Sequence, residues 1–111
     1  MLVALVVLGA CSDGDTPASR GRAVAQDVGC LGCHSTGTDE RLGPGLGGIW
    51  GEERTFADGS TRVVDEEYLR RSILEPGSQV VAGFDPIMPQ LALSDAELDE
   101  VVAYLRDVAG G

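Results

Sequence analysis

One pentapeptide, Cys30-Leu31-Gly32-Cys33-His34, constrains this chain more than any other feature of its sequence. Two cysteines three positions apart, followed at once by histidine, form the pattern by which proteins attach haem covalently. The spacing has a chemical reason, because each thiol can add to one porphyrin vinyl group and the next residue then brings its imidazole to the iron. His34 is the only histidine of the 111 residues, so no other imidazole competes for this role. The pattern predicts one covalently bound haem c with His34 as an axial ligand.

Three other interpretations of the same cysteines are weaker. Structural zinc usually takes four protein ligands, and outside this cluster only Cys11 and carboxylates remain. A thioredoxin-like redox motif would lie within a strand–helix–strand pattern, which does not surround these residues. A disulfide between Cys30 and Cys33 would close a very short loop, stabilise little and leave His34 without a role.

Length and charge restrict both the fold and the partners. A chain of 111 residues forms a single domain with a modest core, to which haem would add apolar surface. The formal net charge is -10, and all eight basic residues are arginines. This acidity argues against nucleic acid or an anionic membrane surface as a binding partner. The sixteen glycines predict long loops between short helices.

The N-terminal segment has the character of an export signal. Residues 2–8 are an unbroken apolar run, too short to span a bilayer, and Leu8-Gly9-Ala10-Cys11 resembles the lipobox of bacterial lipoproteins. We therefore predict a signal peptide over residues 1–10, a lipidated Cys11 and a flexible tether over residues 11–19. Lipidation would also account for the third cysteine, which would otherwise be an odd thiol in an exported protein.

Two alternatives stay open for this segment. The apolar run can instead be a buried N-terminal strand with an incidental cysteine, and the tether can be an ordered loop of the domain. The run also departs from the signal pattern, because no lysine or arginine precedes it.

Hydrophobic periodicity and capping signals predict three helices. The first helix covers Arg20–Val28 and is stopped by Gly29. A middle helix begins with the acidic residues 65–67 and is stopped by Pro76. The last helix begins with a capping box at Ser94–Glu97. Its apolar stripe is Leu98, Val101, Val102, Leu105 and Val108. This stripe should pack on the first helix near Gly21, where a missing side chain permits close approach.

The segments between these helices are expected to be irregular. Residues 35–48 are rich in glycine and form a loop, and residues 52–64 form a small hairpin or extended excursion around an Asp58-Gly59 turn. On the middle helix, Arg70 and Arg71 can contact a haem propionate or an acidic partner, although charges on a helix are usually only solvated.

Two loop residues are candidates for positions around the iron. The carbonyl of Pro44 can accept the Nδ1 hydrogen of a ligating histidine, although an ordinary Gly-Pro turn explains the proline equally well. Met88 lies between Pro86 and Pro89, and once Met1 leaves with the signal it is the only thioether available for the sixth iron position. The alternative is a methionine of the hydrophobic core, but gap-filling methionines are commoner on helix faces.

The order of these features resembles that of the class I c-type cytochromes from about Arg20 to the end. Two segments, Gly43–Gly48 and Tyr68–Pro76 leading to Phe84-Asp85-Pro86-Ile87-Met88-Pro89, look like the cytochrome domain fused to subunit II of some bacterial haem-copper oxidases. The resemblance implies a small all-α fold over residues 20–111, with three to four short helices wrapped around one haem. It also implies thioether bonds at Cys30 and Cys33, axial ligation by His34 and Met88, and Pro44 as the hydrogen-bond acceptor of the histidine.

Two departures from that family are informative. Ala25 stands where the family often has an aromatic residue that packs on the last helix, so Tyr104 or aliphatic residues must replace that contact. The copper-binding domain and membrane hairpin of a true subunit II are absent, which favours a free-standing, lipid-tethered relative.

These observations predict a non-enzymatic carrier of single electrons at the periplasmic or outer face of a membrane. It would dock through the haem edge beside Cys30 and the Met88 loop. Its redox partners would be proteins such as a terminal oxidase or a quinol-oxidising complex. The partner's docking face should be uncharged or basic, because this chain is acidic. Two alternatives remain. The chain can be a fixed subunit of a larger oxidoreductase, favoured by an exposed apolar patch at Ile87, Leu91 and Leu93, or a haem sensor or peroxidase in which Met88 leaves the iron.

Overall fold

The computed structural model describes residues 15–111, so the predicted signal peptide, Cys11 and the tether up to residue 14 lie outside the described residues. Within that range, four α-helices and a two-stranded hairpin are present, which confirms the expected small helical fold. In chain order they are α1 (Pro17–Asp27), α2 (Cys30–Cys33), β1 (Glu53–Thr55), β2 (Thr61–Val63), α3 (Glu66–Leu74) and α4 (Asp95–Ala109), with a 3₁₀ turn at Pro76–Ser78.

Helix α1 begins three residues before the predicted start at Arg20. Thr16 caps it by accepting a hydrogen bond from the Ser19 amide, while the Ser19 hydroxyl accepts one from the Thr16 amide, and Pro17 occupies the first turn. Proline is favoured there because the first-turn N–H has no helical partner. Residues 17–19 therefore belong to the helix and not to the predicted tether.

The end of α1 leads directly into the cysteine pair. Gly29 has φ +89°, a left-handed conformation that suits glycine, and it separates α1 from the single helical turn α2. The sequence correctly placed the end of the first helix before Gly29, but α2 itself was not predicted. Helix α2 contains both cysteines and places His34 immediately after its last residue.

Helices α1 and α4 pack against each other at Gly21, as expected. A Cβ at Gly21 would lie 1.8 Å from the backbone oxygen of Glu100, so only glycine permits this approach. The buried stripe of α4 departs from the prediction at one position, because Ala109 is buried whereas Val108 is only half-buried. Ala109 lies four positions after Leu105, so this spacing keeps the stripe on one helical face.

The predicted hairpin is present and carries one residue toward the interior. Strands β1 and β2 are antiparallel with Arg54 opposite Arg62, and the Ser60 amide donates to Asp58 Oδ1 in the turn. Because side chains alternate along a strand, Arg54 points inward and is half-buried while its neighbours on β1 are exposed. A bridge between Phe56 and Val81 fastens the hairpin to the segment after α3.

Helix α3 supplies a wall of the interior and a polar outer face. Tyr68, Leu69 and Ile73 are buried. Arg70 pairs with Asp99 of α4 at 2.7 Å and with Glu66, and Arg71 pairs with Glu75. Neither arginine is among the residues that line the interior cavity described below, and both pair with carboxylates of the protein.

Candidate haem site

A cavity of about 260 Å³ brings together the residues predicted to surround a haem. Its lining includes Cys30, Cys33, His34, Pro44 and Met88, which lie as far as 58 positions apart in the sequence. Most of the surrounding wall is apolar and comes from α3, the loop after His34 and the loop around Met88. We call residues 34–48 the histidine loop and residues 83–93 the methionine loop. Cys11, the predicted lipidation site, lies outside the described residues.

The two cysteines of α2 are free thiols at the edge of this cavity. Both are half-buried, and burial raises the pKa of the Cys30 thiol. Residues 15–111 hold no group of three or more histidine, cysteine or acidic side chains that could bind a metal ion. The zinc alternative therefore lacks a ligand set in that part of the chain.

The imidazole of His34 is fixed by backbone on two sides. Its Nδ1 lies 2.8 Å from the Pro44 carbonyl oxygen, which is the contact that the sequence suggested. A carbonyl oxygen only accepts hydrogen bonds, so Nδ1 carries the hydrogen and Nε2 of the neutral ring keeps its lone pair. That lone pair is what a metal ion requires of a histidine ligand.

Gly43 holds the same ring by close packing. A Cβ at this position would lie 2.4 Å from His34 Cε1, and Gly43 is buried. The Gly43 amide also donates to the Cys33 carbonyl at 2.9 Å. The role of Gly43 was not predicted. The one clue in the sequence was that Gly43 directly precedes Pro44, the residue predicted to accept a hydrogen bond from His34.

Met88 lies in a segment with neither helix nor strand, as predicted. Its side chain is half-buried, lines the cavity and also contacts the hydrophobic core. Pro86 and Pro89 flank it and lack the amide hydrogens that would fasten the segment to its neighbours. The position of Met88 fits the predicted ligand, since the residue lines the same cavity as His34.

Arg54 is a cavity residue that the sequence did not reveal. Its Nε is buried without a hydrogen-bond partner, and one of its terminal nitrogens lies 3.6 Å from a Glu52 carboxylate oxygen. A buried, unpaired guanidinium nitrogen is costly, so an acceptor is expected beside it. A haem would bring two carboxylates into the same cavity, and Arg54 is the right donor for one of them.

Two further groups make this wall polar. Burial raises the pKa of Tyr68, while its hydrogen bond with Ser72 and the charge of Arg54 act in the opposite direction. Gln79 donates to the Ser72 hydroxyl and to the Tyr68 carbonyl, and accepts from Arg62. The cavity thus combines thiols, one lone-pair nitrogen, one thioether and a polar corner, which together fit a covalently held haem.

The fold and this site define a small helical domain built around one haem group. Residues 18–109 match the cytochrome c family, and the chain belongs to that family as a class I c-type cytochrome. Its cofactor is covalently bound haem c, and it is a monohaem electron carrier. No curated protein matches the sequence significantly.

A solved structure supports the fold assignment. The chain is similar to cytochrome cH from Methylobacterium extorquens, with 24% identity and a TM-score of 0.58. The match covers 81% of this chain and 97% of that one. At this identity the likeness shows the fold alone. No helix among residues 15–111 is long and apolar enough to cross a membrane.

Proposed function

We propose that this cytochrome carries single electrons between membrane redox complexes, with His34 and Met88 as axial ligands and thioether bonds at Cys30 and Cys33. When bound, the haem supplies one-electron chemistry between ferrous and ferric iron. The observation that carries the proposal is the shared cavity of both cysteines, His34 and Met88. If His34 and Met88 both held the iron, no coordination position would be left for a substrate, and the carrier would need no catalytic group.

The histidine loop determines how His34 acts. The Pro44 carbonyl oxygen lies 2.8 Å from His34 Nδ1 and accepts its hydrogen, which would leave the Nε2 lone pair free to bind the iron and make the imidazole more basic. Gly43 packs closely against this ring, since a side chain at position 43 would collide with the imidazole. Arg54 would donate to a propionate and thereby neutralise part of the negative charge that enters the cavity.

The surface around the cavity fits transient docking. Leu42 and Ile87 line the cavity and are 61% and 55% exposed, so they offer a small apolar contact area. Leu91 and Leu93 are half-buried, and Leu93 packs against the core, so the apolar patch expected for a permanently held subunit is reduced to Ile87. A partner with an uncharged or basic face would suit the net charge of -10.

We further propose that the protein is exported and lipidated at Cys11. The tether would end before Thr16, because Thr16 caps helix α1. The first support is the lipobox-like sequence Leu8-Gly9-Ala10-Cys11. The second is that the chain has three cysteines and haem attachment would use two of them, so Cys11 remains for lipidation. This places the carrier at a periplasmic or outer membrane face, where a terminal oxidase or a quinol-oxidising complex would exchange electrons with it. Of these two partners, the resemblance of the methionine segment to oxidase-fused cytochrome domains favours a terminal oxidase.

The proposed iron ligands are tested by comparing the matured native protein with the variant Met88→Ala in absorption spectra and redox titrations. The native protein should be low-spin in both oxidation states. Loss of the thioether should abolish the low-spin ferric spectrum and lower the potential by a sizeable fraction of the roughly 0.8 V that axial ligands span. An unchanged spectrum and potential in Met88→Ala would show that another group is the sixth ligand.

A further inference from the structure

The methionine loop has very few hydrogen bonds in its second half. Its first half is held by backbone bonds from the Phe84 amide to Val81 and from the Ile87 amide to Asp85. From Met88 to Leu93, the hydrogen bond found in the described structure is the one donated by the Gln90 side chain. Beside packing and the two prolines, the Gln90 bond is therefore the contact that fastens this half of the methionine loop.

The acceptor of that bond is a helix end. Gln90 Nε2 lies 3.1 Å from the carbonyl oxygen of Leu74, the last residue of α3. The last carbonyls of a helix lack a partner within the helix. The Ser78 amide, which would continue the helical pattern, donates to Glu75 instead. Gln90 thus satisfies an orphan carbonyl and fastens the methionine loop at the same time.

This contact connects Met88 to the cavity wall. Helix α3 contributes Tyr68, Leu69, Ser72 and Ile73 to the cavity, so its C-terminal end is rigidly related to the haem pocket. Gln90 follows Met88 by two residues, with Pro89 between them. A bond at Gln90 therefore restricts how far the Met88 sulfur can move away from the cavity.

From these contacts we infer that Gln90 is a positioning residue for Met88, whose hydrogen bond to the Leu74 carbonyl keeps the methionine loop closed over the iron. The inference rests on the proposed ligation by Met88. Its physical consequence is that loss of the bond increases the population of loop-open protein, in which an external ligand can reach the iron.

The test measures imidazole binding to the ferric, haem-loaded protein, because imidazole must displace the sixth ligand. Gln90→Glu keeps the size of the side chain but places an acceptor opposite the carbonyl. A net hydrogen bond corresponds to a two- to tenfold change in an equilibrium, so the apparent imidazole affinity should rise by about two- to tenfold. Gln90→Ala, which removes the donor without adding charge, should give a rise in the same range.

A matched control is Gln26→Glu. Gln26 is exposed on α1, and its side chain makes no hydrogen bond within residues 15–111, so this variant adds the same charge without touching the methionine loop. Its imidazole affinity should equal that of the native protein. If both Gln90 variants also bind imidazole with native affinity, or if they only lower the unfolding midpoint, the positioning role is wrong.

The two proposals fail in different ways. If native protein and Met88→Ala bind imidazole equally well, Met88 is not the ligand and the role of Gln90 falls with it. If Met88→Ala binds imidazole much more tightly than the native protein while the Gln90 variants do not differ from it, the ligation stands and only the role of Gln90 is refuted.

Discussion

The histidine loop and the methionine loop line the same cavity but are held in place by different means. In the histidine loop, backbone bonds join Leu46 to Ser35 and Gly47 to Gly37, and the Ser35 hydroxyl donates to the Asp39 carbonyl. A further backbone bond joins Gly43 to Cys33 of α2. Its end is tied to α4, since the Gly48 amide donates to Val108. The methionine loop has two backbone bonds in its first half, donated by the Phe84 and Ile87 amides, and its second half depends on two prolines, core packing and the side chain of Gln90.

This difference would give different tasks to His34 and Met88, the two proposed iron ligands. A ligand held by many backbone bonds keeps one orientation and one tautomer, which keeps its electronic contribution constant. A ligand on a loop with few bonds opens more readily, because local opening is easiest where hydrogen bonds and buried contacts are few. The same architecture can therefore serve a carrier when the methionine loop stays closed, or a ligand sensor when it opens.

The largest effect is expected from crowding the histidine. In Gly43→Ala the new methyl group would lie 2.4 Å from His34 Cε1, so the ring or the loop must shift. Overpacking of this kind costs about 1–3 kcal/mol of unfolding free energy. Denaturant unfolding of the haem-loaded protein measures it.

Gly37→Ala is the control for this prediction. It lies in the same loop, has nothing within 4 Å of its Cβ, and should change stability by less than about 0.5 kcal/mol. Equal stability of the two variants would show that the histidine loop is not rigid around the imidazole.

A smaller effect is expected from removing the charge of Arg54. This residue lines the haem cavity and also a second cavity of about 210 Å³, together with Pro44 and Glu52. Arg54→Met removes a cation that disfavours ferric iron and leaves a propionate less neutralised, and both changes lower the potential. We expect a fall on the order of 60 mV, which is a tenfold change in a one-electron equilibrium. Redox titration measures it.

The control here is Arg71→Met, which removes an exposed arginine outside the cavity and should leave the potential almost unchanged. Imidazole affinity should stay native in both arginine variants, because neither touches the methionine loop. A potential that is equally insensitive to both substitutions would remove Arg54 from the haem site.

Much of the fold could be predicted because its signals are local. The Ser94–Glu97 capping box and the Asp58-Gly59 turn depend on residues a few positions apart, and the structure contains both. The close approach at Gly21 followed from a missing side chain on an otherwise helical face. The start of α1 was also local, since Thr16-Pro17 is a capping signal, but serine in place of glutamate at the third position obscured it.

What could not be predicted depends on tertiary contacts. Arg54 reaches the cavity only because the hairpin is fastened to the segment at Val81, and nothing in the neighbouring sequence indicates that contact. Gln90 likewise finds its partner, Leu74, sixteen residues away at the end of another helix. The cysteines, His34 and Met88 could be proposed from the sequence because their chemistry is rare in it, and the structure shows that all four line one cavity.

Carbon monoxide binding to the reduced, haem-loaded protein tests the central claim most directly, since this ligand needs an open position on ferrous iron. If His34 and Met88 both hold the iron, native protein should bind carbon monoxide slowly or not at all, and Met88→Ala should bind it rapidly. Rapid binding by the native protein, at the rate of the variant, would contradict the account and favour a ligand-binding haem protein.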